Sequence, residues 1–278
     1  MPIATLYDLL TDAEPLIVID VGASDNGGLP SYYKPATAPH TRVFAFEPNP
    51  AEYEKLKAAP QPGRTVLPYF VGDGKPGIYH ETNRAITGSL YEPNAELMEK
   101  FQAIAEFTTL VAKHPTETMR LDDITEIEDV DFLKLDVQGG ELDVMKHAGR
   151  HLSRAVAVQS EVEFVELYKG QPLYGDIDVF LRGAGFSFHT FHDLSARCFK
   201  PLRNKQDPYA GIRQIIWGDV IYVKDFMKLS LLPDKKLQKL AIIAHDIFGS
   251  LDLCHYVLQE LDQRRQSHFA DSYMERLR

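Results

Sequence analysis

The sequence has little cysteine, and what it has is widely spaced. Its 278 residues include two cysteines, Cys198 and Cys254, which match no metal-ligand spacing and cannot form a disulfide framework. Hydrophobic residues make up 44% and charged residues 25% of the chain, the composition of an ordinary globular protein. We therefore expect no bound metal and a reducing, cytoplasmic location.

Two further absences narrow the class of protein. No run of about 18 apolar residues occurs, so no membrane span is expected, and the first ten residues lack the basic segment of a secretory signal. The formal net charge is −10, and the 30 Lys and Arg residues are scattered along the chain. Because phosphate neutralisation requires a basic surface, a nucleic-acid partner is not expected.

Apolar β-branched runs alternate with helical stretches through the first 224 residues. Core strands are predicted at residues 16–21, 42–46, 65–71, 131–136 and 155–160. A more polar pair, 186–191 and 217–223, is expected to run antiparallel at one sheet edge. Helices are predicted over 3–11, 51–58, 96–107, 141–148 and 174–183. This alternation predicts a doubly wound α/β sheet of about seven strands, with ligands at the carboxyl ends of the strands.

Strands are no longer predicted beyond residue 224. Apolar residues recur at helical spacing over 235–247 and 251–265. We expect residues 1–224 to form a ligand-binding domain and 225–278 a helical extension. The extension is expected to pack on the body of the protein or on a second subunit in a homo-oligomer, and a lid over the ligand is the alternative.

The end of the first strand carries the first candidate binding residues. Gly22 lets the backbone turn tightly beside a ligand. A dehydrogenase has a second glycine in this turn, but Ser24 stands there in this chain. Asp20 would repel a pyrophosphate, whereas it suits an ammonium group or an ordered water molecule.

Acidic residues also end the second and third strands. Glu47 lies 25 residues beyond Gly22, where a carboxylate accepts hydrogen bonds from the ribose hydroxyls of a nicotinamide or an adenosyl cofactor. Pro48 makes the exit from the strand rigid. Asp73 is placed to accept from the exocyclic amine of adenine, although Asp and Gly are also ordinary turn residues.

Two residues are candidates for proton transfer. Asp136 ends the fourth strand, where its carboxylate can act as a general base on a hydroxyl or orient it. His192 flanks the end of the sixth strand and has an ordinary pKa near neutrality, although a partly exposed loop histidine is the simpler interpretation. Glu141 opens a helix, where an acid is favoured as a cap whatever its function.

Six segments in order resemble the FkbM family of methyltransferases, over about residues 15–223. They are Asp20-Val-Gly-Ala-Ser24, Phe46-Glu-Pro-Asn-Pro50, Val71-Gly-Asp73, Ser89-Leu-Tyr-Glu-Pro93, Arg120-Leu-Asp-Asp123 and Phe132-Leu-Lys-Leu-Asp-Val-Gln-Gly-Gly-Glu141. The resemblance implies a class I methyltransferase fold with S-adenosylmethionine as cofactor. It also implies O-methylation of a hydroxyl on a small-molecule or glycan acceptor, such as a sugar or a natural product.

The resemblance also implies which residues bind and react. Asp136 or His192 would take the proton of the acceptor. The implied cofactor-binding residues are Asp20, Gly22, Ala23, Ser24, Glu47, Pro48, Gly72, Asp73 and Asp136. The chain departs from the family in the extended loop 25–30 and at Gln138, where the family commonly has Glu.

Two other functions stay open. One is a nicotinamide-dependent oxidoreductase, which Ser24 in place of the second glycine argues against. The other is a non-catalytic protein that binds an adenosyl ligand or serves in assembly, which the intact carboxylates argue against. The acceptor itself is not predicted, because its pocket is built from loops such as 24–40 and 193–214.

Overall fold

Strands and helices alternate along most of the chain in the computed structural model, which describes residues 4–24, 30–33, 38–207 and 209–277. In these residues ten strands form two sheets. In chain order they are β1 (Leu16–Val21), β2 (Thr41–Phe46), β3 (Arg64–Leu67), β4 (Phe70–Val71), β5 (Pro76–Thr82), β6 (Leu110–Met119), β7 (Phe132–Leu135), β8 (Ala157–Glu163), β9 (Phe186–Ala196) and β10 (Ile215–Lys224).

The larger sheet has seven strands in the order β3-β2-β1-β7-β8-β10-β9. The first five strands of this order run parallel, whereas β10 is antiparallel to both β8 and β9. The smaller sheet has the order β4-β6-β5 and lies beside the carboxyl ends of the first. The predicted doubly wound sheet of about seven strands is confirmed, including its antiparallel edge pair.

Eight α-helices occur among the described residues. They are α1 (Pro50–Ala58), α2 (Ala95–Met98), α3 (Glu141–Lys146), α4 (Gly149–Arg154), α5 (Tyr174–Gly183), α6 (Asp234–Ile242), α7 (Leu251–Arg265) and α8 (Phe269–Leu277). A π-helical turn, Ile243–Ile247, continues α6. Single 3₁₀ turns lie at Leu6–Asp8, Ser31–Tyr33, Ala38–His40, Ala85–Thr87, Ala105–Phe107 and Leu121–Asp123, and a longer one at Phe226–Leu231.

The predicted strand 65–71 is wrong as one element. The chain forms β3 and β4, which belong to different sheets. Pro68 lies between them and has no N–H to donate to a ladder. The last carbonyl of β3, that of Leu67, accepts from the backbone N–H of Glu47 at 3.1 Å, which fixes the end of β2. The division therefore helps to position a candidate site residue.

Several predicted helices are shorter than expected because tertiary contacts take up their backbone groups. The prediction over 96–107 is wrong between α2 and the 3₁₀ turn at 105–107. There the N–H of Gln102 donates to Cys198 O at 2.9 Å, and the N–H of Lys200 donates to Lys100 O at 2.8 Å. The predicted helix 141–148 is interrupted after α3, and α4 and α8 were not predicted. Of the predicted helix 3–11, the described part forms only the 3₁₀ turn Leu6–Asp8.

The C-terminal helices pack on one face of the larger sheet. Their apolar side chains share a continuous core with β1, β7, β8 and β10, including the fully buried residues Leu237, Leu240, Val257, Leu258 and Leu261. Lys236 Nζ donates to Asp131 Oδ1 at 2.7 Å and ties α6 to the start of β7. Packing on the body, one of the expected arrangements, is therefore present. A domain boundary at residue 224 stays a prediction.

Candidate active site

A cavity of about 550 Å³ lies at the carboxyl ends of β1, β2, β7 and β8. Parallel strands end at one edge of a sheet, so the residues that follow them meet there. The opposite wall comes from the smaller sheet and from the 3₁₀ turns at 85–87 and 105–107. Among the lining residues are Gly22, Ser24, Glu47, Pro48, Gly72, Asp73, Asp136, Gln138, Glu161, Glu163, Tyr168, Arg197 and Trp217.

Gly22 lies where the ends of β1 and β7 come closest. Its φ of +86° is in the region that favours glycine, and a Cβ there would lie 1.8 Å from the carbonyl oxygen of Asp136. The backbone N–H groups of Gly22 and Ala23 donate to Phe46 O at 3.1 and 3.0 Å. No other residue type fits this turn, which joins three strand ends in one fixed arrangement.

Glu47 ends β2 and is only 3% exposed, yet it lines the cavity. Its Oε2 accepts from Ser24 Oγ at 2.6 Å, and its Oε1 accepts from the N–H of Asn49 at 2.8 Å. Burial raises the pKa of Glu47, and these two hydrogen bonds counter that effect. Each carboxylate oxygen can accept a second hydrogen bond from a ligand.

Asp20 is not among the residues that line the cavity. Its carboxylate, 1% exposed, accepts from the hydroxyl of Tyr32 and from Lys134 Nζ, the latter at 3.1 Å. Burial opposes the charge on Lys134, but Asp20 and Asp136 outweigh burial and raise the pKa of Lys134 above its ordinary value. The ammonium group that Asp20 binds is therefore that of Lys134 and not that of a ligand.

Asp73 lines the cavity at a turn between β4 and β5. Its carboxylate pairs with Lys75 Nζ at 2.9 Å and also accepts from the N–H of Lys75 at 3.0 Å. The hydrogen bond from the Lys75 ammonium lowers the pKa of Asp73. Beside it, a Cβ at Gly72 would approach Thr118 to 3.2 Å, so a small residue is favoured there. The turn is both structural and open to a ligand.

Asp136 ends β7 and lines the middle of the cavity with a side chain that is 28% exposed. Gln138 holds it, because Gln138 Nε2 donates to Asp136 Oδ1 at 2.9 Å and to Glu161 Oε2 at 2.6 Å. Gln138 Oε1 in turn accepts from the hydroxyl of Tyr168 at 2.9 Å. Gln138 therefore bridges two carboxylates, a role that its amide can fill and a glutamate could not.

Two buried glutamates, Glu141 and Glu163, and the partly buried Glu161 lie at this end of the sheet. Glu141 accepts from the N–H groups of Val137 and Gly139 at 2.7 and 3.0 Å, so it caps the turn before α3, as expected. Burial raises the pKa of Glu141 to about 7 and those of Glu161 and Glu163 well above the ordinary value. The protonated form of each side chain is therefore favoured more than in an exposed glutamate.

The structure does not bring His192 to the cavity. The residue lies exposed on β9, the edge strand of the sheet, and is absent from the described residues that line the cavity. The sequence also gave no reason to select Tyr168, Arg197 or Trp217 as site residues. The one available signal was that the single tryptophan stands at the start of the last strand.

No group of three or more His, Cys, Asp or Glu side chains in residues 4–24, 30–33, 38–207 and 209–277 is arranged to hold a metal ion. In the same part of the chain, no helix is both long enough and apolar enough to cross a membrane.

The strand order, with its reversed final pair, and the carboxylates that follow β2 and β7 define a class I methyltransferase fold. The sequence model described as the methyltransferase FkbM domain matches residues 20–188. This match covers more than half of the chain, which therefore belongs to the FkbM methyltransferase family. The family that the six segments resemble is thus confirmed.

Known proteins share parts of this sequence and fold. The 2-O-methyltransferase NoeI of Sinorhizobium fredii is 24% identical over 183 residues, which cover 63% of this chain and 74% of NoeI. Magnesium protoporphyrin IX methyltransferase of Synechocystis is 13% identical, with a TM-score of 0.38, over 79% of this chain and 76% of that one. A precorrin-6y C5,15-methyltransferase of Geobacter metallireducens is 14% identical, with a TM-score of 0.36, over 78% and 85% of the two chains.

At these TM-scores the backbone of each of the two solved structures superposes on this chain only in part. The fold assignment therefore rests on the strand order of this chain and on the family match.

Proposed function

We propose that this protein transfers a methyl group from S-adenosylmethionine to a hydroxyl oxygen of a sugar, glycan or natural-product acceptor. The observation that carries the proposal is a single cavity that joins Glu47, at the end of β2, to Asp136 and to the polar and aromatic residues beyond it. The family match supports methyl transfer. The similarity to a protein named as a 2-O-methyltransferase supports oxygen as the atom that is methylated.

The dimensions of the cavity suit two molecules side by side. Adjacent strands lie about 4.8 Å apart, so the four steps from β2 to β10 span roughly 19 Å. The volume of about 550 Å³ is within the range of small-molecule sites. We call the part near β1 and β2, lined by Gly22, Ser24, Glu47 and Asp73, the cofactor end. The part near β8 and β10, lined by Glu161, Glu163, Tyr168, Arg197 and Trp217, is the acceptor end.

The residues of the cofactor end fit the proposed cofactor. Glu47 is held so that it would accept hydrogen bonds from two ribose hydroxyls. Gly22 has no Cβ, so the ends of β1 and β7 can come together and hold this turn in the wall of the cavity. Asp73 would accept from the adenine amine, with Pro48 and Gly72 beside it in the wall. The side chains of Asp20 and Ala23 would act from behind this wall, by holding the turn.

S-adenosylmethionine supplies, when bound, an electrophilic methyl group on a positively charged sulfur. The residues of the chain would then align the acceptor hydroxyl with that methyl group and remove its proton. Asp136 is the proposed proton acceptor, because it lines the cavity between the two ends and its carboxylate is oriented by Gln138 at 2.9 Å. His192 has no part in this proposal.

Calorimetry with S-adenosylhomocysteine and with NAD tests the proposal directly. We expect S-adenosylhomocysteine to bind in the micromolar range or tighter and NAD not to bind. Binding of NAD alone would favour the oxidoreductase, and binding of neither ligand would favour a non-catalytic protein. Transfer of labelled methyl from S-adenosylmethionine to a panel of sugars would then identify the acceptor. Self-association through the C-terminal helices stays a prediction, which sedimentation can check.

A further inference from the structure

Arg197 is an unpaired cation at the acceptor end of the cavity. It follows β9, and its guanidinium lies 4.4 Å from the centre of the Trp217 ring. Its Nη1 donates to the carbonyl of Ala196 at 2.8 Å. Its Nε is buried and has no hydrogen-bond partner among the described residues. A buried N–H without a partner is costly, so this position calls for a ligand that accepts hydrogen bonds.

The backbone that carries Arg197 is fixed rather than loose. Its N–H donates to Gln214 O at 3.0 Å, which extends the pairing of β9 with β10. Gly211 packs against the same peptide, and a Cβ there would lie 2.4 Å from the nitrogen of Arg197. The aromatic face of Trp217 holds the guanidinium from one side. The group is therefore positioned before any ligand binds.

The electrostatic surroundings of Arg197 leave its charge unsatisfied. Burial lowers its pKa, and the nearby Asp207 and Tyr209 counter this only in part. No carboxylate in the described parts of the chain forms an ion pair with it. Lys75 provides the contrast, because this second cation in the described lining is paired with Asp73 at 2.9 Å.

We propose that Arg197 binds an anionic group, a carboxylate or a phosphate ester, carried by the methyl acceptor. The planar fork of a guanidinium recognises two oxygens of such a group at once, and the partly buried setting strengthens the interaction. Trp217 acts as a positioning residue. This inference rests on the proposed function, since it describes the second substrate of the same cavity.

The acidic residues at the same end do not oppose this assignment. Burial raises the pKa of both Glu161 and Glu163, which favours their neutral, protonated forms. A protonated carboxyl donates a hydrogen bond instead of repelling an anion. Arg197 is the one cation at the acceptor end among the described lining residues.

The test compares three sugars on the protein saturated with S-adenosylhomocysteine. They are methyl β-D-glucuronide, glucose 6-phosphate and methyl β-D-glucoside, which differ in bearing a carboxylate, a phosphate or no charge. We expect at least one anionic sugar to bind about tenfold or more tightly than the neutral one, as measured by calorimetry. The preferred anion identifies which of the two groups the acceptor carries.

Substitutions at Arg197 separate recognition of the anion from a general loss of sugar binding. Arg197→Met should abolish the preference for the anion by weakening the anionic sugar far more than the glucoside, and Arg197→Lys should retain part of the preference. Arg213→Met, at an exposed arginine in the same loop, is the matched control and should keep the full preference. Binding of S-adenosylhomocysteine should be the same in all four proteins.

Two results would overturn the inference. One is a wild-type protein that binds neither anionic sugar more tightly than the glucoside. The other is an Arg197→Met variant that loses affinity equally for charged and neutral sugars. Failure of the wild type to bind S-adenosylhomocysteine would instead reject the proposed function, so the two failures are distinct.

Discussion

The two ends of the cavity differ in whether their polar side chains already have hydrogen-bond partners within the protein. At the cofactor end, each oxygen of the Glu47 carboxylate already accepts a hydrogen bond, and Asp73 is paired with Lys75. At the acceptor end, Glu163 Oε2 and Arg197 Nε are buried without hydrogen-bond partners among the described residues. The first end is complete without a ligand, whereas the second leaves polar groups unsatisfied.

This contrast follows from where the residues stand in the fold. Gly22, Ser24 and Glu47 of the cofactor end follow the parallel strands β1 and β2, which have neighbours on both sides in the larger sheet, and Asp73 comes from the smaller sheet. The acceptor end is formed at the antiparallel edge and by the segment that follows β9, which has a neighbour on one side only. A preformed site suits a ligand shared by a whole class of enzymes, and an edge is free to vary with the acceptor.

The largest expected effect comes from adding one carbon atom at the cofactor end. Gly22→Ala would bring a Cβ to 1.8 Å from the Asp136 carbonyl, so the ends of β1 and β7 must separate. We expect a loss of about 4 kcal/mol or more in the free energy of unfolding, by urea titration, together with loss of S-adenosylhomocysteine binding.

Gly170→Ala is the matched control for this change. Gly170 also has a positive φ, +73°, but a Cβ there would meet nothing within 4 Å. It should therefore cost only about 1–2 kcal/mol, the strain of the backbone conformation. Equal losses in the two variants would show that close approach at Gly22 is unimportant.

The second-largest effect concerns Asp136, which lies between the two ends, and it separates catalysis from cofactor binding. Asp136→Asn should lower kcat about hundredfold or more, because a proton acceptor is removed, and should change S-adenosylhomocysteine affinity only a few-fold. Single-turnover methyl transfer to an acceptor found in the sugar panel provides the measurement. The exposed Asp123→Asn is the control. If Glu161→Gln caused the loss and Asp136→Asn did not, the proton acceptor would be Glu161.

The third effect sharpens the assignment of the cofactor end. Glu47→Gln keeps the size of the side chain but removes the charge that would strengthen its hydrogen bonds to the ribose hydroxyls. We expect S-adenosylhomocysteine to bind about tenfold to hundredfold more weakly by calorimetry, with affinity for the sugar probes unchanged. Glu54→Gln, at an exposed position of α1, should leave both unchanged. An unaltered affinity in Glu47→Gln would remove this residue from the site.

The smallest effect concerns pH and compares the buried Glu141, at the start of α3, with Asp73 at the cofactor end. Burial raises the pKa of Glu141 to about 7, so its protonated form is favoured in the folded protein. Stability from this group is complete below its ordinary pKa of 4.5 and is lost as the pH rises through 7. We expect the free energy of unfolding to fall by about 1 kcal/mol per pH unit over this range. The pKa of Asp73 is lowered by Lys75, so its contribution is lost toward acid instead.

Urea unfolding at pH 5, 6, 7 and 8 measures this slope. Glu141→Gln should flatten it, although Glu161 and Glu163 face the same region and would retain part of the dependence. A wild-type slope of zero, or a slope that Glu141→Gln leaves intact, would contradict the assignment.

Many of the buried strands and the turns that follow them could be predicted from the sequence, because they depend on local patterns. The apolar runs at β1, β7 and β8 indicate buried strands, and a glycine after a strand indicates a tight turn. Because parallel strands end at one edge, Gly22, Glu47, Asp73 and Asp136 were expected to meet, and all four line one cavity. Their roles toward a ligand remain predictions.

Side-chain pairing between distant segments could not be predicted in this way. Asp20 stood in the right place for a ligand contact, but Lys134 and Tyr32, which lie 114 and 12 residues away in sequence, take up its carboxylate. His192 is of a residue type that often transfers protons, but it lies exposed on an edge strand. Arg197 carried no signal, since a lone arginine after a strand is ordinary until its partners, or their absence, are known.

The sequence by itself determined the family, the core strands β1, β2, β7 and β8 and the turn at Gly22, because apolar runs, glycines and strand-end acids act within a few residues. Only the tertiary structure decided which carboxylates face the cavity, which are satisfied by the chain, and where an unpaired guanidinium lies. Those outcomes depend on burial and on contacts between residues up to more than a hundred positions apart, which no local pattern encodes.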